Sequence, residues 1–120
     1  MHKLPTKFKE PWLTALRSGK YKQGKGFLRS KEGRYCCLGV AHEVWGGQWR
    51  DDMRDTLAYR TQFGGMGSLP TWEDYPVEAR DAMTQMSPMG AAGSVAMTLA
   101  TMNDKNCTFE HIADWIEKNL

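Results

Sequence analysis

Apolar positions recur with a helical period in five stretches of this chain and lose it in between. Trp12, Ala15 and Leu16 fall at i, i+3 and i+4, which predicts a first helix on one buried face. Pro11 suits its first position and Gly19 its left-handed stop; Lys9 and Glu10 precede it, and Phe8 packs back on its first turn. Cys36, Val40 and Val44 stand four apart, with Cys37 and Ala41 beside them, and predict a buried helix ended by Trp45-Gly46-Gly47. Gly39 inside it costs about 1 kcal/mol relative to alanine, so a close neighbour is expected there. Ala79, Ala82, Met83 and Met86 mark a helix over Val77 to Met86, and Val95, Leu99 and Met102 another over Gly93 to Met102. The last is the clearest: Thr108 as N-cap, then Phe109, Ile112, Ala113, Ile116 and Leu120 on one stripe, with Asn103 to Asn106 as the preceding turn.

Between these stretches, Phe27–Ser30 and Arg34–Leu38 flank Lys31-Glu32-Gly33 and read as a β-hairpin. Residues 46–76 are irregular, broken by Gly46-Gly47, Gly64-Gly65, Gly67, Pro70 and Pro76; a short helix over Arg50 to Tyr59 is expected within them. The expected fold class is α+β: a small, mostly helical single domain over 1–120, with a short hairpin or small antiparallel sheet. Residues 46–76 read as an inserted loop region, and loops of that length in compact domains tend to be functional or mobile.

Composition narrows this little. A 120-residue chain with 41% hydrophobic residues can bury a core without staples. No apolar run approaches the ~18 residues that span a bilayer, and the basic N-terminus has no apolar stretch behind it, so no signal peptide is expected and the cytoplasm is the expected compartment. The three cysteines, two of them adjacent, suit reduced buried thiols better than a disulfide framework. The eight methionines suit core filling, with a partner-binding surface as the alternative.

Charge changes the picture. Residues 1–35 hold ten Lys or Arg against Glu10 and Glu32, a balance of 10 − 2 = +8, and residues 36–120 hold six against twelve acids, 6 − 12 = −6. The basic third either meets anions from outside or lies against the acidic remainder of its own fold. Within it, Gly19–Gly26 nearly spells a phosphate-binding loop, but Gly26 stands where a magnesium-binding hydroxyl is needed. The order is also wrong: a helix precedes the stretch, whereas the real loop leads into one. What survives is a set of close cations, Lys20, Lys22, Lys25 and Arg29, with Gly24 and Gly26 allowing backbone N–H groups to approach a ligand. Tyr21 and Phe27 offer stacking surfaces for a base.

Other constellations fall short. Cys36, Cys37 and His42-Glu43 lack zinc spacing, and a Cys–His dyad needs a third orienting group. Glu73, Asp74, Glu78 and Asp81 suit a solvated face as well as a carboxylate pair. The final helix, with Glu110, Asp114 and Glu117, carries the wrong sign for the major groove. No catalytic residue, metal or cofactor is expected.

Three segments taken together are familiar: Trp12–Arg29, Tyr35-Cys36-Cys37-Leu38-Gly39-Val40, and Leu99-Ala100 with Met102-Asn103-Asp104 leading into Phe109 and Ile112–Glu117. The chain resembles a set of small accessory proteins of tailed bacteriophages. The resemblance implies a viral protein made in the host cytoplasm, of a kind that blunts host defences or redirects host enzymes. The leading expectation is a non-enzymatic binder of a phosphorylated nucleotide, sequestering a host immune signal, with Lys20, Tyr21, Lys22, Lys25 and Arg29, and Arg34 beside them, as contacts. The alternatives are an inhibitor that binds a host protein and a nucleic-acid-binding accessory protein.

Overall fold

The structure, a computed structural model, describes residues 1–51, 56–65, 67–88 and 93–120. Among them five helices and two two-stranded sheets form, in the α+β class expected. In chain order these are α1 (Thr6–Arg17), β1 (Lys22–Gln23), β2 (Arg34–Tyr35), α2 (Cys37–Val44), β3 (Trp49–Arg50), β4 (Arg60–Thr61), α3 (Val77–Thr84), α4 (Val95–Asp104) and α5 (Phe109–Asn119). α1 packs on α5 and α2, and α4 packs on α2, α3 and α5. The backbone N–H of Leu4 donates to the Leu120 carbonyl (3.0 Å), so the two ends of the described chain lie together.

α1 starts earlier than its sequence suggests. Pro5 is its N-cap and Pro11 lies inside it, so Phe8, Lys9 and Glu10 are helical. An interior proline removes one backbone bond and costs roughly 3 kcal/mol. Pro11 is exposed, however, and Phe8 extends the buried stripe by a turn. The Phe8 ring meets Trp45 edge-on at 5.6 Å, and Trp45 Nε1 donates to the Phe8 carbonyl at 2.9 Å. Trp12, fully buried, meets the same Trp45 ring at 5.2 Å and donates from Nε1 to the Cys37 carbonyl. The end is as expected, with Gly19 at φ +74° just past Ser18.

The expected hairpin is reduced to one antiparallel bridge, Arg29 with Tyr35, closed by a turn in which the Ser30 N–H donates to the Arg34 carbonyl at 2.8 Å. β2 instead pairs in parallel with β1, placing Lys22 beside Arg34 and Gln23 beside Tyr35. The next helix begins at Cys37, with Cys36 as N-cap. Gly39 sits against the Leu28 carbonyl, where a Cβ would overlap it.

The helix expected over Arg50 to Tyr59 is corrected where the chain is described. Arg50 lies in β3, and Ala58 bridges Ser30. Asp52, Met53 and Asp55, on which that expectation also drew, lie outside the described residues. β3 and β4 pair antiparallel, Trp49 with Thr61 and Arg50 with Arg60. Strand pairing wins because it anchors this segment to the Ser30 bridge. Asp74 braces the segment further, accepting from Thr61 Oγ1 at 2.6 Å and from the Thr71 N–H at 2.9 Å.

α3 ends at Thr84, two residues short of Met86, which is exposed and bridges Ser94. Ser94 then caps α4, and Thr108 caps α5 through the His111 N–H at 3.2 Å. Asn103 and Asp104 belong to α4, leaving Lys105-Asn106 as the turn, with Asn106 at φ +73°. No helix among the described residues is long and apolar enough to cross a membrane.

Candidate functional site

The six expected contact residues follow the course of the chain from α1 to β2, and the fold divides them. Tyr21 meets the Tyr35 ring edge-on at 5.1 Å, and Lys20 Nζ lies 5.8 Å from the Tyr21 centroid. Arg29 reaches the same cluster through its bridge with Tyr35. Lys22 and Arg34 stand beside each other across β1 and β2, both exposed. Strand alternation turns them away from the Tyr35 side. Lys25 goes elsewhere, donating to Asn106 Oδ1 in the α4–α5 turn.

Arg29 is the centre of this face. Its guanidinium carbon lies 4.3 Å from the Tyr59 ring centroid and 5.7 Å from those of Tyr35 and Trp49. Lys31 Nζ lies 4.1 Å from the centroid of Tyr59 and also pairs with Asp51. Trp49 meets Tyr35 at 6.4 Å and His42 at 4.6 Å, both edge-on, and donates from Nε1 to Glu43. Four rings, Tyr21, Tyr35, Trp49 and Tyr59, thus surround or adjoin one planar cation, and all four are partly open to solvent. Burial first, and the Glu43 carboxylate second, hold the Tyr35 phenol above its ordinary value, so it keeps its proton.

No carboxylate among the described residues pairs with Arg29, Lys20, Lys22, Lys25 or Arg34. Arg29 Nε is buried without a hydrogen-bond partner. Other cations of the basic third are matched by the chain itself: Lys7 with Glu78, and Arg17 with Asp114 (2.8 Å) and Glu117 (2.5 Å). The basic third is thus matched by the chain's own carboxylates at Lys7, Arg17 and Lys31, and not, among the described residues, at the six expected contacts.

The glycine-bearing loop serves the fold more than a ligand. The Gly24 N–H donates to the Tyr35 carbonyl (2.7 Å) and the Gly26 N–H to Asp104 Oδ1 (3.1 Å). Gln23 is held from three sides, donating to Asn103 Oδ1 and the Cys107 carbonyl and accepting from the Phe109 N–H. None of the six residues lines the hollows of about 210 and 270 Å³ found elsewhere.

Tyr35, Trp49, Tyr59 and Lys31 were not among the contacts expected from sequence. A signal existed, since Trp49-Arg50 and Tyr59-Arg60 repeat an aromatic–cation pair. Their convergence on Arg29 depends on the β3–β4 pairing and the Ser30–Ala58 bridge, which a helical reading hides. The two adjacent thiols offer no rival site. Burial pushes Cys36 up to about 11 and Cys37 well above the ordinary 9.0. His42 Nε2 is bonded to the Gln48 carbonyl at 3.0 Å. Among the described residues no group of three or more His, Cys, Asp or Glu is placed to hold a metal.

A family model described as "Domain of unknown function (DUF8296)" matches residues 4–120. The chain belongs to this family. No curated protein and no solved structure matches it. The DUF8296 match runs through α1, both sheets and α5 alike, so the Arg29 face lies wholly within the family's domain.

Proposed function

We propose that this domain binds a phosphorylated, base-bearing small ligand without transforming it, using the Arg29 face. One observation carries the reading: a guanidinium flanked by three aromatic rings with no carboxylate partner among the described residues. Rings on an arginine orient its planar fork, and the fork's N–H edges match phosphate oxygens in pairs. Lys20 adds a second cation beside Tyr21, a half-buried ring, and stacking of a base on a ring of that kind is worth roughly 1–3 kcal/mol. Lys22 and Arg34 raise the positive field nearby. The sequestered thiols and the tethered His42 favour binding over catalysis.

On the resemblance to phage accessory proteins, we propose further that the ligand is a nucleotide signal of a bacterial host, bound in the host cytoplasm and held out of circulation. The test is a thermal-shift screen of nucleoside mono-, di- and triphosphates and cyclic dinucleotides at about 1 mM, with the free nucleosides as controls. A ligand present at about 100 times its Kd stabilises by about 2.7 kcal/mol, a shift of several degrees in Tm for a domain of this size. The expected result is a rise with at least one phosphorylated member and none with its nucleoside. Flat curves across the panel would refute the reading.

A further inference from the structure

A second feature borders His42, whose ring also meets Trp49. Between the end of α2 and residues 62–63 and 73–76 opens a hollow of about 270 Å³, walled by Trp45, Phe63 and Tyr75, with Pro76 beside them. Its carboxylates are Glu73 and Asp74, and no lysine or arginine lines it. Asp74 is fully engaged, accepting from Thr61, Thr71 and the Phe63 N–H. Glu73 is exposed and has no hydrogen bond or ion pair among the described residues. Apolar surface continues outside the hollow, where Phe63 is 50%, Trp72 52% and Val77 69% exposed.

We propose that this hollow receives a lysine or arginine side chain presented by an apolar segment of a partner protein. The sign of the occupant follows from the walls. Ring faces attract cations, and Glu73 supplies an unused counter-charge at the mouth. An acidic side chain would meet two carboxylates, and an apolar one would leave Glu73 without a partner. The size follows from the volume, which lies below the range of about 300–1,000 Å³ usual for drug-sized ligands and suits a single side chain. The source follows from the surroundings: Phe63, Trp72 and Val77 spread apolar contact beyond the reach of a free amine, the pattern of an anchor residue with a flanking interface. The face already holds one guanidinium, since Arg80 lies 5.5 Å from the Trp72 centroid. This site is opposite in charge to the Arg29 face, which it adjoins through the His42–Trp49 contact, and the two share no charged residue.

The experiment selects a displayed library of random peptides, about 12 residues long, on the full chain, then measures the enriched peptide by fluorescence polarisation. Glu73→Lys and Phe63→Ser change exposed groups, and circular dichroism confirms that each variant is folded. The expected peptides carry Lys or Arg next to aromatic or aliphatic residues, and each variant weakens binding by about tenfold or more, about 1.4 kcal/mol. An Arg29→Met variant binds the peptide as the wild type does. No enrichment, enrichment of acidic or uncharged peptides, or affinity unchanged in Glu73→Lys would overturn the proposal.

Discussion

Asn103 and Arg29 show how two polar side chains in one small domain come to different uses. Asn103 is fully buried, and its amide is saturated: Oδ1 accepts from Gln23 (2.9 Å) and from the Cys37 N–H (3.2 Å), while Nδ2 donates to the Gly24 carbonyl (2.8 Å). It ties the Gly24 loop to α2 and α4. The Arg29 guanidinium, by contrast, lies against the rings of Tyr35, Trp49 and Tyr59 and pairs with no carboxylate among the described residues. The buried protonated groups Cys36, Cys37 and Tyr75 add a prediction at this scale. All three are raised by burial first, Cys36 to about 11 from 9.0. The unfolded chain releases these protons at lower pH than the folded one, so stability is intact below about pH 9 and falls as pH climbs from 9 through 11. Urea midpoints measured between pH 7 and 11 should drop across that window. A midpoint constant to pH 11 would contradict the burial of these groups.

At the scale of elements, legibility followed length. α5 could be read residue by residue, because Thr108 and its apolar stripe act locally and decide the helix together. Pro11 misled for the opposite reason: its backbone defect is local, while the compensation, Phe8 on Trp45, comes from a helix 37 residues away. Strands of two residues carry no readable period, so the parallel pairing of β1 with β2 and the β3–β4 pair were out of reach. The candidate site shared that fate. Its cations are visible as charge and Tyr35 lies in an expected strand, but Trp49 and Tyr59 are brought to Arg29 by the β3–β4 pairing, which has no readable period. Gly39 was read correctly as a place of close approach, and it yields a direct test. Gly39→Ala sets a methyl against the Leu28 carbonyl, and overpacking of this kind costs about 1–3 kcal/mol even where alanine favours the helix. Chemical denaturation should show a loss in that range, whereas a gain would mean that α2 does not lie on the Leu28 backbone as described.

Across the whole molecule, the +8 and −6 ends of the sequence are partly reconciled by folding, and the remainder is directional. Lys7, Arg17 and Lys31 find carboxylates from the later chain. Lys20, Lys22, Arg29 and Arg34 do not find them among the described residues; Lys20 and Arg29 reach the Tyr35 cluster, and Lys22 and Arg34 stand on the other side of β1 and β2. The acidic, aromatic hollow at Glu73 faces a different partner chemistry. Such a division suits a binding module with one anion-seeking face, and the account turns on Arg29 as its centre. The most direct measurement is isothermal titration of the wild type and Arg29→Met with the nucleoside phosphates and cyclic dinucleotides of the thermal screen. The account predicts one saturable site per chain for at least one of them, weakened about tenfold or more in Arg29→Met, a loss of about 1.4 kcal/mol. Equal affinity in the two proteins, or no heat from any phosphorylated ligand, would contradict it.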